Sequence, residues 1–309
     1  MTVPPDPRAQ QGPGAPWPVQ VCFRHPDRET GLRCVRCDRP ACSQCLREAP
    51  VGYQCVDCVA QGTRSGPRAT TVAGADLTGR VVVVPTLIAI NVLIFAITVA
   101  QAGSLGGNSA AGLFTQWALL PTAVADGDLW RLFTSGFLHI GPLHLAFNMI
   151  ALWVIGRDLE QVLGPARFVA VYVVSLLGGS LAIFLFQAQT IPTAGASGAV
   201  FGLMGGLAVV LRRMRRSPGP ALSIILLNVV ISFVVPGISI LGHLGGLLFG
   251  TAVTAGMVYA PRDRRVAVQA AIVVALMVVI VLGVLARQYQ LSAFTACPTE
   301  PQLSCPVSR

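Results

Sequence analysis

An all-α polytopic membrane protein preceded by a small zinc-binding domain is the fold class this sequence predicts, and three observations predict it. Of 309 residues, 53% are hydrophobic and 11% charged, with a mean hydropathy of +0.67, far outside the range of a soluble domain. Seven apolar stretches follow residue 80, five of them near the ~20 residues that a spanning helix needs. Seven of the nine cysteines fall in the first 80 residues, with ten of the 22 basic ones.

Residues 1–20 are polar and Pro-rich, without the periodic apolar positions of a packed element, and are expected to be disordered. They also lack the apolar run of a cleavable signal peptide, so the first transmembrane helix is expected to act as the anchor. Residues 21–60 form the zinc-binding domain and 61–79 a linker. Its pattern is Cys22-x2-His25-x8-Cys34-x2-Cys37-x4-Cys42-x2-Cys45-x9-Cys55-x2-Cys58. Eight soft ligands in four close pairs are what two tetrahedral Zn2+ ions require. Some 40 residues with so few large apolar side chains cannot build a sufficient core, so metal binding supplies the folding energy. A disulfide framework is the alternative, and a cytosolic position disfavours it.

The candidate spans are residues 81–101, 143–160, 168–187, 197–211, 221–235, 239–259 and 266–286. The fourth and fifth are short, which suits helices buried inside a bundle. All 22 basic residues are Arg, consistent with a high-GC bacterial source. With the N-terminus inside, 19 of them fall in inner segments and three (Arg131, Arg287, Arg309) in outer ones. This asymmetry predicts an orientation with N-terminus cytoplasmic and C-terminus extracellular, which with the bacterial source gives a multi-pass protein of a bacterial plasma membrane. It also accounts for the net charge of +9 without nucleic acid. Cys297 and Cys305 then lie in the outer tail, where a disulfide between them is expected and two free thiols are the alternative.

Polar residues in apolar spans are costly and mark function by default. Four stand out: His144 and Asn148 in the second span, Ser197 at the head of the fourth and His243 near the outer end of the sixth. These spans run in the same direction, so the four residues share one layer beneath the outer surface. His144 and Asn148, spaced i, i+4, share a helix face. Ser197 sits among small residues in Gly195-Ala196-Ser197-Gly198. Gly198, Gly202 and Gly206 on the fourth span, and Gly246 and Gly250 on the sixth, give small faces that let two backbones approach closely. A serine hydroxyl needs a base to become a nucleophile, and neutral His243 is one. No acidic residue accompanies the pair, which predicts a Ser/His dyad without a third carboxylate. The Ser197 N–H, the His144 ring and the Asn148 amide are the candidate oxyanion donors.

Taken together, His144-x-x-x-Asn148, Gly195-x-Ser197-Gly198 and His243-x-x-Gly246-x-x-x-Gly250 resemble the rhomboid protease family over residues 80–260. The resemblance extends to Trp130-Arg131 in the first outer loop, to His139 ahead of His144, and to Glu160, which it implies is structural. Phe201 stands where many rhomboids have a Tyr packed on the catalytic histidine. The implied architecture is a six-helix core plus a seventh transmembrane helix within 261–309. The implied activity is an intramembrane serine endopeptidase that cleaves transmembrane protein substrates through an acyl-enzyme on Ser197, with no catalytic cofactor. The alternation of metal-ligand pairs resembles the B-box zinc finger, which implies Cys22, His25, Cys42 and Cys45 on one ion and Cys34, Cys37, Cys55 and Cys58 on the other. Binding of a protein partner is the favoured role of this domain, with regulation or stability as alternatives. Two rivals stand beside the protease: a catalytically inactive rhomboid-like protein that binds transmembrane clients, and a small-solute transporter or channel.

Overall fold

The computed structural model describes residues 19–65, 70–77, 79–235 and 237–295. Residues 1–18 of the segment expected to be disordered, and Cys297 and Cys305, lie outside the described residues. The chain divides into two compact units, Met1–Arg68 and Ala69–Arg309.

The N-terminal unit is two antiparallel ribbons and a helix. β1 (Val21–Cys22) pairs with β2 (His25–Glu29), β3 (Leu46–Glu48) with β4 (Tyr53–Cys55), and α1 (Val56–Ser65) follows. Its buried cluster consists of six cysteines with Ala41 and Leu46, flanked by Phe23. Two side chains larger than alanine besides the cysteines do not make an apolar core able to offset chain entropy. The thiols therefore occupy the place a core would take.

The second unit is helical. Seven long helices form where the apolar stretches predict them: α2 (Val83–Ala102), α6 (Gly141–Leu163), α7 (Pro165–Phe186), α8 (Ser197–Arg213), α9 (Gly219–Val234), α10 (Ile240–Tyr259) and α11 (Arg265–Thr295). Short helices α3 (Gly112–Trp117), α4 (Pro121–Ala125) and α5 (Arg131–Thr134) lie between α2 and α6. Among the described residues four helices, α2, α7, α10 and α11, are long and apolar enough to cross a membrane. A fifth span results if α6 is counted with the helical segment before it, from which it is bent by 93°.

Small residues set the centre of the bundle. A Cβ added at Gly246 of α10 would meet the backbone of Gly198 on α8, and one at Gly250 would meet the backbone of Gly202. One at Gly198 would lie 3.2 Å from the Gly242 carbonyl oxygen. α8 and α10 thus touch backbone to backbone, as small-xxx-small faces allow. Burial explains why the 17-residue α8 can be short, but α9 departs from the expectation. With 16 residues it is about 24 Å long, and Leu226, Leu227, Phe233 and Val234 point outward. Only Ala221, Ile225 and Ser232 are buried. Its apolar residues run all round the helix, so length alone could not tell an inner helix from an outer one.

Three polar anchors fix the frame. The Glu160 carboxylate, 1% exposed, accepts the backbone N–H groups of Val82 (2.8 Å), Val83 (2.9 Å) and Val84 (2.9 Å). It thereby caps the first turn of α2, whose N–H groups have no partner within the helix. In the first loop Arg131 binds Asp128 Oδ2 at 2.8 Å and donates to the carbonyls of Thr115 (2.7 Å) and Ala118 (3.0 Å). Trp130 Nε1 donates to the Gln116 carbonyl at 3.4 Å. Gln269 docks α11: its amide donates to the Met257 and Ala73 carbonyls, and its oxygen accepts from Arg167.

Candidate active site and metal centres

Ser197 begins α8, and the geometry just before it is one that only glycine can adopt. Gly195 has φ +138°, and its N–H donates to the Ser135 carbonyl at 2.9 Å. A Cβ there would lie 2.8 Å from His144 Cε1, 2.9 Å from His144 Nε2 and 3.6 Å from Ser197 Oγ. The Ser197 hydroxyl and the His144 ring therefore both lie close to Gly195, at the N-terminus of α8, where a helix presents N–H groups and the positive end of its dipole.

His144 Nδ1 accepts the Ile140 N–H at 3.3 Å. A neutral imidazole has one hydrogen, so the ring carries it on Nε2, the nitrogen that faces Gly195. Asn148, buried one turn further along α6, donates one amide hydrogen to the His144 carbonyl at 2.9 Å and keeps a second. His139 packs edge-on against His144, with ring centroids 5.2 Å apart. Asn108 holds the segment ahead of α6: it donates to the His139 carbonyl at 2.7 Å and accepts the Gly141 N–H at 3.0 Å. The sequence reading passes over Asn108, since a lone Asn in a loop carries no signal.

His243 lies in the first turn of α10, 6% exposed. Phe201 stacks on it, centroids 4.1 Å apart and planes 14° apart. Phe201 is one turn along α8 from Ser197 and on the same face, so the ring lies against the helix that carries the hydroxyl. Among the described residues no hydrogen bond joins Ser197 to His243. His243 Nδ1 instead lies 2.7 Å from Ser232 Oγ on α9, and that hydroxyl donates to the Asn228 carbonyl at 2.7 Å. Ser232 too escapes the sequence reading. The one available signal is Asn228-x-x-x-Ser232, two polar residues on one face of an apolar span.

In the N-terminal unit the ligand atoms gather into two groups, Cys22, His25, Cys42 and Cys45, and Cys34, Cys37, Cys55 and Cys58, each with all atoms within 4.8 Å of one another and each able to hold a metal ion. His25 Nδ1 lies 3.7, 3.5 and 3.4 Å from the sulfurs of Cys22, Cys42 and Cys45, and Cys37 Sγ lies 3.7 Å from Cys55 Sγ. Burial raises the Cys22 thiol, but the backbone N–H groups around it outweigh burial and hold it at about 5. Burial and the neighbouring Cys22 and Cys42 thiols push Cys45 up to about 11. In the second group the Arg39 guanidinium lowers Cys37, and the Cys37 thiol and burial push Cys58 up to about 12. Each group ionises easily at first and resists losing its last proton, a cost that a bound cation removes.

The profile of the rhomboid domain family matches residues 126–262, which include every bundle residue described at the site except Asn108. The rhomboid protease GluP of Bacillus subtilis is 38% identical over 168 residues, covering 53% of this chain and 32% of GluP. RHOMBOID-like protein 5 of Arabidopsis thaliana is 39% identical over 141 residues, 43% of this chain and 45% of the relative. The putative rhomboid protease YdcA of B. subtilis is 36% identical over 132 residues, 41% of this chain and 66% of the relative. The chain thus spans less than two thirds of the length of each of these curated relatives. Residues 126–262 of this chain are a rhomboid domain.

Proposed function

We propose that the chain is an intramembrane serine endopeptidase in which Ser197 is the nucleophile and His243 its general base. The observation that carries the reading is the approach of His144 Nε2 and Ser197 Oγ to the one glycine, Gly195, whose missing side chain lets the two polar groups come together among apolar helices. A peptide carbonyl attacked by the Ser197 hydroxyl would direct its oxygen toward the imidazole N–H of His144. His243 takes the Ser197 proton as the Oγ–C bond forms. The oxyanion is met by His144 Nε2–H, the Asn148 amide and the Ser197 N–H. The intermediate then collapses with cleavage of the C–N bond, His243 giving the proton to the leaving amine. A water activated by the same histidine releases the acyl group. The hydrogen bond from Ser197 to His243 forms when substrate closes the site, since catalytic contacts are commonly long in free enzymes and tighten in the complex.

The substrates are transmembrane proteins whose helix unwinds locally to expose a carbonyl. Arginine asymmetry supports an orientation with the N-terminus cytoplasmic, and the all-arginine composition a bacterial plasma membrane. The eight N-terminal ligands hold two structural Zn2+ ions. Zinc bonds of about 2.3 Å to sulfur and 2.0–2.1 Å to nitrogen give tetrahedral edges of roughly 3.8 Å between two sulfurs and 3.6 Å between sulfur and nitrogen, close to the 3.4–3.7 Å from His25 Nδ1 to three sulfurs and the 3.7 Å from Cys37 Sγ to Cys55 Sγ. The zinc would supply folding energy and takes no part in hydrolysis.

A fluorophosphonate probe tests the reading. Labelling of the wild type that disappears in Ser197→Ala supports it. The lack of a Ser197–His243 hydrogen bond among the described residues favours a second reading, a rhomboid-like protein that binds transmembrane clients without cleaving them. Absence of labelling in folded wild type would establish that one in place of the first.

A further inference from the structure

We propose that Ser232 is a positioning residue for His243, fixing the tautomer and orientation of the ring that acts as base; the inference rests on the protease reading above. Two contacts of the Ser232 hydroxyl decide the matter. Its oxygen lies 2.7 Å from the Asn228 carbonyl oxygen, which can only accept, so the single hydroxyl hydrogen is committed there. The same oxygen lies 2.7 Å from His243 Nδ1. The hydrogen in that second contact must come from the ring. His243 is therefore protonated on Nδ1, and its Nε2 carries the lone pair that a general base needs.

The arrangement does for this histidine what a carboxylate does in a three-residue relay: it selects the tautomer and holds the ring at the nitrogen remote from the reaction. It does so with a neutral group, which suits an apolar helix where a carboxylate would be costly. Phe201 fixes the plane of the ring and Ser232 its rotation within that plane. Ser232 is itself 6% exposed on a helix whose other faces are largely outward, so its burial follows from its position against α10. As His243 takes the Ser197 proton and becomes a cation, the Nδ1–H bond to the Ser232 oxygen strengthens, which favours the transition state over the resting enzyme.

Two measurements test the proposal, and neither needs a known substrate. In the first, full-length protein carrying 15N-labelled histidine is compared with the same protein bearing His243→Ala, to assign the His243 signals. A protonated Nδ1 and an unprotonated Nε2 in the wild type are expected, and the reverse tautomer overturns the proposal. The second uses Ser232→Thr, which keeps the hydroxyl, against Ser232→Val, which has the same shape without it. Labelling by a fluorophosphonate probe should proceed in Ser232→Thr within about twofold of wild type. In Ser232→Val the maximal rate should fall roughly tenfold with the probe's half-saturating concentration unchanged. Equal rates for the two variants overturn the proposal. Should the valine variant fail to fold, the tautomer measurement still decides. Loss of Ser197-dependent labelling in the wild type would instead sink the protease reading, a result distinct from either outcome.

Discussion

The two units of this chain are held together by opposite means. Among the described residues of Met1–Arg68 the buried side chains are mostly thiols, gathered in two groups able to hold metal ions. At the centre of the unit Ala69–Arg309 two helices meet backbone to backbone, Gly198 and Gly202 of α8 against Gly246 and Gly250 of α10. On the proposed zinc reading the first unit is assembled by ligation, which chemistry can reverse, and the second by shape, which only substitution can alter. One sequence therefore carries two independent foldings that should fail under different insults.

Metal removal should give the largest difference between the units. The purified full-length chain is expected to carry two zinc ions, and structural zinc is worth ~10–16 kcal/mol of apparent binding energy. Chelation should therefore expose residues 21–60 to proteolysis while the bundle melts as before, and fewer than two zinc per chain would contradict the eight-ligand reading. The reciprocal insult is Gly246→Val. Its Cβ would meet the Gly198 backbone, which cannot rotate away, so the loss should exceed the ~1–3 kcal/mol typical of overpacking. Thermal unfolding in detergent should fall steeply, with zinc content unchanged.

Smaller effects probe the anchors. Glu160→Ala strips three backbone N–H groups at the start of α2 of their acceptor and should cost about 2 kcal/mol, read as a lower melting temperature of the bundle. Phe201→Leu removes the ring stacked on His243 and should cost little stability, ~0.5–1.5 kcal/mol. It should slow fluorophosphonate labelling several-fold, and unchanged labelling would mean that the stack does not hold the base.

How far each unit could be read in advance follows from the same contrast. Ligand spacing is a local property, so the eight metal-ligand positions stand out from the sequence directly. Spans are nearly local: residues 239–259 are expected and Ile240–Tyr259 is observed, with 266–286 falling short of Arg265–Thr295 because the last turns are more polar. Contacts between helices are not local. The glycine faces of α8 and α10 were visible because they repeat every four residues, whereas Ser232 matters through the rotation of α9 against α10. Eleven positions and a loop separate it from His243, and no spacing rule spans that gap. The outward set of α9 was misjudged for a related reason: a helix apolar on all sides gives no sign of which neighbour it lacks. The short helices α3 to α5 were missed because they are ordered by Arg131 and by tertiary contacts, not by periodicity.

The central claim is that a serine in the bundle becomes a nucleophile through a histidine it reaches only across two glycine-faced helices. The most direct measurement is the rate of fluorophosphonate labelling in wild type, Ser197→Ala and His243→Ala, with each variant confirmed to be folded. The account predicts labelling in the wild type, none in Ser197→Ala, and at least a hundredfold slower labelling in His243→Ala, roughly the loss expected when a general base is removed. Labelling of His243→Ala at the wild-type rate would contradict it.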